Sequence, residues 1–140
     1  MFLDPHFSWH GGFLWWHGKL QGVIEALSKK RGKSFAEARE FLATKVASIE
    51  LSPYHSTSFR NHDRLLENLH SVKLAREYVE KKLVPRAKSG KAIIIATRAV
   101  KHWNLPKHAN IICYEGGHAR GAHLTPNSQG GKAILKHLEY

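Results

Sequence analysis

The sequence predicts a three-layer α/β/α domain on a small, mostly parallel sheet. Three observations point there. First, residues 46–52, 92–96 and 110–114 are short apolar runs of strand length, and the last two are rich in Ile. These two alternate only weakly, as strands buried on both faces of a parallel sheet do. Second, helical periodicity separates the runs, and the stretch between the first two has the length of a right-handed crossover. Third, each run ends in functional side chains: Tyr54, His55 and Ser56 after the first, Thr97 and Arg98 after the second, and Glu115 with a Gly-, His- and Arg-rich loop after the third. In open parallel sheets, ligands bind outside the carboxyl ends of the strands.

The elements follow in order. Residues 1–18 hold Phe2, Phe7, Trp9, Phe13, Trp15 and Trp16, interleaved with His6, His10 and His17. Asp4-Pro5 and Gly11-Gly12 mark this stretch as loop. Its aromatics read as core or lid packing, with one or two open to stack on a base. Over residues 19–29, Leu20, Val23, Ile24 and Leu27 recur at helical spacing, and Gly32 ends that helix. Ser34 with Glu37 three residues on reads as a capping box before Phe35, Ala38, Phe41 and Leu42. In the run at 46–52, Val46, Ile49 and Leu51 supply the apolar positions, and Pro53, which has no N–H, stops it. A short helix is expected over 63–69. The next helix is expected to start at a Ser71 cap and carry Leu74, Ala75, Tyr78, Val79 and Leu83, with Pro85 near its end. One or two helical turns span 98–103, closed by Pro106. A last helix covers 132–138 with Ala133, Ile134 and Leu138 inward.

A chain of 140 residues is the size of one domain, so residues 1–140 are expected to fold as one. The 22 Lys and Arg against 11 Asp and Glu give a net charge of +11, which favours a polyanionic partner, DNA above others. No Lys- and Arg-rich helix with a strong apolar face suggests a membrane surface, and no run reaches the ~20 apolar residues of a span. Cys113 is the only cysteine, which excludes an intrachain disulfide, a four-Cys zinc site and a protein-only iron–sulfur cluster. With no basic, apolar leader, the expected location is the cytosol, or the nucleus in a eukaryote.

The loop over 116–131 leaves a strand end and enters a helix. Gln129, Gly130 and Gly131 at that helix start could offer backbone N–H groups to a phosphate, with Arg120 and Lys132 adding charge. The loop is not a P-loop, because Gly-Lys-Ser/Thr is absent. Its plain alternative is a surface loop whose glycines only turn the chain. Glu50 and Glu115 are the only carboxylates near the strand ends, too few for a two-metal nuclease, and no metal or other cofactor is expected. Ser56 beside His55 is no nucleophile pair, since adjacent strand residues face opposite ways.

Residues 49–56, the strand end Ala96-Thr97-Arg98 with Trp103 behind it, and residues 123–131 together resemble the later two-thirds of the uracil-DNA glycosylase superfamily; the aromatic opening is similar to the segment after that family's first strand. The resemblance implies a three-layer α/β fold that flips a damaged base into a pocket and hydrolyses its glycosidic bond without a metal. It makes His123 the group polarising the base, Leu124 the apolar wedge, and Tyr54 and His55 pocket residues. His55 and His123 are thus the candidate catalytic residues, and Tyr54, Ser56, Arg98, Arg120, Leu124, Asn127, Gln129 and Lys132 the candidate nucleic-acid contacts. The family's His-Pro-Ser-Pro stands here as His123-Leu124-Thr125-Pro126. Its first motif belongs on a central strand that would precede Met1, with Asp4 the nearest carboxylate. The expected consequence is a contracted sheet in which 49–51 pairs directly with 93–95, and a homodimer covering the aromatic opening.

Three readings stand side by side. One is a glycosylase-like protein acting on DNA bases. The second is a non-catalytic nucleic-acid-binding module of the same shape. The third is a nucleotide- or phosphate-ligand enzyme built on the Gly130-Gly131 helix start.

Overall fold

The computed structural model describes residues 3–52, 63–116 and 124–138. It is mixed α/β, with helices predominating and one two-stranded parallel sheet among the described residues. Two compact units form, Met1–Ser48 with Tyr114–Tyr140, and Ile49–Cys113.

The first unit is built on α1 (Gly11–Arg31). Phe13, Leu20, Val23, Ile24 and Leu27 form its buried stripe, at the spacing that sets one helix face inward. The helix begins eight residues before the span its periodicity predicts, so half of the aromatic opening is helical rather than loop. Asp4 starts a 3-10 turn over Pro5–Phe7, accepting the His6 N–H at 3.0 Å. That hydrogen bond, the contact to the His6 ring and the nearby positive charge hold the Asp4 carboxyl below its ordinary value. His10 then caps α1, its Nδ1 accepting the Gly12 N–H at 3.0 Å. Gly32 ends α1 at φ 61, where a glycine avoids the Cβ penalty of the left-handed region.

The capping box is present on α2 (Phe35–Ala43). Glu37 N–H donates to Ser34 Oγ at 3.2 Å, and Ser34 N–H donates to Glu37 Oε2 at 2.9 Å. Both α2 and the last helix, α7 (Gln129–His137), pack against α1. Two glycines permit close approaches there. Pro126 Cδ lies 2.8 Å from where a Cβ on Gly22 would stand, and the Thr125 carbonyl oxygen 1.8 Å from where one on Gly131 would stand.

The second unit holds α3 (Asp63–Asn68), α4 (His70–Tyr78), a π turn over Val79–Leu83, α5 (Val84–Lys88), β1 (Ile94–Ala96), α6 (Val100–Trp103) and β2 (Ile111–Cys113). The π turn precedes Pro85. Val84 N–H reaches back five residues to the Val79 carbonyl, which relieves the clash a proline ring makes with the carbonyl four residues earlier, and the helix runs on to Lys88. Ser71 is not the α4 cap. Leu69 takes that position, and Ser71 Oγ is buried without a hydrogen-bond partner. Of the apolar residues on this stretch, Leu74 and Tyr78 are each 52% exposed.

β1 and β2 pair in parallel with Ile94 opposite Ile111, Ile95 opposite Ile112 and Ala96 opposite Cys113. The Asn110 side chain donates to the Ala87 carbonyl at 2.9 Å, tying the end of α5 to the start of β2. Val79, Val84, Ala87 and Ile111 form one small core, and Leu51, Leu66 and Val72 another.

The strand expected over 46–52 does not form, and the ladder between 49–51 and 93–95 is replaced by the β1–β2 pair. The reason is local. Val46 N–H is spent on the Leu42 carbonyl at the α2 terminus, at 3.1 Å. Ala47 and Ser48 have little strand preference, and Ile49 is exposed. Only Leu51 packs, against Leu66 and Val72. The three-stranded, three-layer expectation is thus corrected to two strands among the described residues.

Substitution of the glycines separates close approach from helix propensity. Gly131→Ala forces a methyl onto backbone and is expected to cost ~2–3 kcal/mol. Gly18→Ala on α1, where a Cβ meets nothing within 4 Å, is expected to gain about 1 kcal/mol. Urea unfolding of both variants is the check.

The capping box also makes an acid-sensitive contribution. The Ser34 backbone and side-chain hydrogen bonds, then Lys33, hold the Glu37 carboxyl below its ordinary value of 4.5. A carboxyl depressed in the folded state stabilises above its unfolded value, and that contribution is lost as pH falls through the folded one. Glu37→Gln is therefore expected to be less stable than the parent at about pH 6, with the gap narrower at about pH 3. An unchanged gap in unfolding midpoints between those two conditions is the contrary result.

Candidate nucleic-acid interface

The linear distribution of charge concentrates cations in the second unit. From residue 81 to residue 113 the chain has no Asp or Glu, yet carries Lys81, Lys82, Arg86, Lys88, Lys91, Arg98, Lys101 and Lys107. All eight are exposed. Burial of Val79, Val84 and Ala87 turns the intervening residues of the π turn and α5 outward, which presents Lys81, Lys82, Arg86 and Lys88. Glu77, one turn upstream, pairs with Lys81 and raises its ammonium above the ordinary 10.5, while the same contact depresses Glu77. A basic surface of this kind attracts phosphates through the release of their condensed counterions.

Beside it lies a cleft of about 290 Å³ lined by Glu67, Arg76, Glu80, Lys101, His102, Trp103 and Asn104. Two carboxylates face two cations there, so the cleft does not extend the basic surface. Arg76 Nε–H donates to the His102 carbonyl and anchors α6. Left-handed residues bracket that helix, Ala99 at φ 50 and Asn104 at φ 49. For Ala99 this costs roughly 1–2 kcal/mol, offset by its packing against the Leu51, Leu66 and Val72 cluster.

The residues that the sequence nominates are distributed as follows. Tyr54, His55, Ser56, Arg120 and His123 lie outside the described residues. Arg98 is exposed between β1 and α6 in the second unit. Leu124, Asn127, Gln129 and Lys132 belong to the first unit. Asn127, Gln129 and Lys132 are exposed. Leu124 is 5% exposed, so it is packed inside and does not project as a wedge.

The start of α7 is not a bare anion site. Gly130 N–H donates to Tyr114 Oη and Gly131 N–H to Ser128 Oγ, both at 3.0 Å. Ser128 in turn donates to the Thr125 carbonyl at 2.7 Å. Both glycines are buried, and their N–H donors are satisfied internally. Gly131 is required by the Thr125 approach, not by a ligand. Two of the three backbone donors that the phosphate-ligand reading named are therefore engaged within the unit.

Net charge alone does not reveal the basic run from 81 to 113; it becomes legible when carboxylates are counted along the chain. The Tyr114–Gly130 bond has no linear signal. Comparison with family models, curated proteins and solved structures finds no match to this chain. No helix among the described residues is long and apolar enough to cross a membrane.

Tyr114→Phe is expected to destabilise by ~1–3 kcal/mol, because it leaves the buried Gly130 N–H without an acceptor. Tyr78→Phe on the exposed side of α4 is expected to stay within about 0.5 kcal/mol of the parent. Chemical denaturation of the pair decides whether the hydroxyl has this role.

Proposed function

We propose that the protein is a nucleic-acid-binding α/β protein that holds the DNA backbone through the second unit. The observation carrying this reading is the stretch of eight exposed cations without a carboxylate between residues 81 and 113. Phosphate contacts of this kind position a nucleic acid without reading its sequence, so the binding is of low sequence preference. The reading needs no catalytic group. The glycosylase-like alternative rests on the resemblance at His55 and His123, and its chemistry is separable from binding.

The test is the salt dependence of duplex binding. Log Kd against log salt is expected to have a slope of about 0.9 for each phosphate neutralised, so affinity falls on the order of 10³-fold between about 50 and 200 mM salt. Lys88→Gln and Lys91→Gln together are expected to reduce the slope by about 1.8. Binding that is flat in salt rejects the proposal. A uracil-bearing strand in the same assay reads the hydrolytic alternative, where His123→Ala is expected to slow abasic-site formation ~10²–10³-fold with binding retained. A parent protein inactive on uracil removes that alternative and leaves the binding role intact.

A further inference from the structure

The solvent face of α1 combines exposed aromatic rings with missing side chains. Gly11, Leu14, Trp15 and Gly18 follow one another at three- and four-residue steps, so they share a face opposite the buried stripe. Trp9, just before the helix, is 75% exposed, Leu14 59% and Trp15 37%. A Cβ on Gly11 or Gly18 would meet nothing within 4 Å. Gly18 therefore weakens the helix for no internal packing reason, whereas Gly22 makes room for Pro126. What Gly18 does provide is open space one turn along from Leu14 and Trp15.

We propose that this face of α1 stacks the unpaired bases of single-stranded nucleic acid, with Trp9 and Trp15 as the stacking rings. The inference rests on the nucleic-acid reading above and adds the strand form that the first unit selects. Charge complementarity supports it. Lys19 Nζ sits 5.4 Å from the Trp15 ring centre, and Lys29 and Lys30 are exposed at the far end of the same helix, beyond the one carboxylate of that face, Glu25. A ring with a cation beside it suits a base with its phosphate, since stacking tolerates any sequence while the cation holds the backbone.

Other occupants fit less well. The apolar stripe of α1 is already inside the unit, so no second stripe is left to enter a bilayer. Trp9, Leu14 and Trp15 together expose on the order of 400 Å², taking about 250 Å² for a whole Trp. A stable dimer needs about 800 Å² from each partner, and two chains of +11 repel.

The experiment titrates the full chain into a labelled oligo-dT of about 12 nucleotides and a duplex of equal length. Trp9→Ala is expected to weaken oligo-dT binding on the order of tenfold and duplex binding less than about twofold, with Trp9→Phe restoring most of the loss. Because Trp9 is the most exposed of the rings, the variant tests the face without testing the core. Gly18→Leu, which fills the open space, is expected to act in the same direction. Equal losses on both ligands, or none on oligo-dT, overturn the proposal while leaving duplex binding and the function above standing. Failure of the parent to bind either ligand in a salt-sensitive way overturns both. Parent sedimentation as a dimer that Trp9→Ala dissociates, or Trp9-dependent binding to anionic phospholipid vesicles without oligo-dT binding, assigns the face to those partners and also overturns it.

Discussion

Burial of one stripe of α1 is the constraint on which the first unit depends. Once Phe13, Leu20, Val23, Ile24 and Leu27 face inward, the helix rotation is set. That rotation alone places Leu14 and Trp15 in solvent and Gly22 against Pro126. It also explains why the N-terminal aromatics separate into two populations. Phe13 is buried and stacks on His17 at 5.4 Å, and His17 meets Phe35 of α2 edge to face. Trp15 lies on the other side of the division.

The second unit solves a different problem, a high positive charge on a small core. Apart from His102, its buried groups are short aliphatics, most of them in two small clusters, and every Lys and Arg from 81 to 107 is exposed. Desolvating any of these cations without a partner costs more than such clusters return. Exposure therefore follows from the energetics of the core, and a basic surface follows from exposure. What the core does not explain is the absence of carboxylates among those cations, since surface acids would lower self-repulsion and stabilise the unit. That absence is the feature on which the proposed polyanion partner rests.

Local signals were legible in the sequence, and pairing was not. The Ser34–Glu37 box, the Gly32 terminus and the buried stripe of α1 are encoded within a few residues of where they act. The Ile runs identified β1 and β2, although each is shorter than its apolar run. The run at 46–52 misled because alternation measures capacity to be a strand, while the Val46 N–H was already committed to the end of α2. The glycines at α7 misled in the opposite way. A Gly-Gly helix start is compatible with an anion site or a close backbone approach, and only the position of the Thr125 carbonyl distinguishes them. The aromatic opening looked irregular because two glycines outweighed a helix that the His10 side chain caps. For the interface, total charge was visible at once, but its concentration on one unit emerges only when charge is read along the chain.

The two surfaces would contribute to nucleic-acid binding through different physics. Contacts from the cations of the second unit weaken with salt, because their driving force is counterion release. Contacts from the rings of the first unit depend on stacking, which a duplex withholds since its bases already stack on one another. A protein with only the first kind would treat duplex and single strand alike apart from charge density. One with only the second would bind bases weakly and without steering. Possession of both would separate affinity from strand selection: the backbone term would set how strongly nucleic acid is held at a given ionic strength, and the aromatic term which form is preferred. Strand preference should therefore grow as salt rises, because screening weakens the shared term and leaves the selective one.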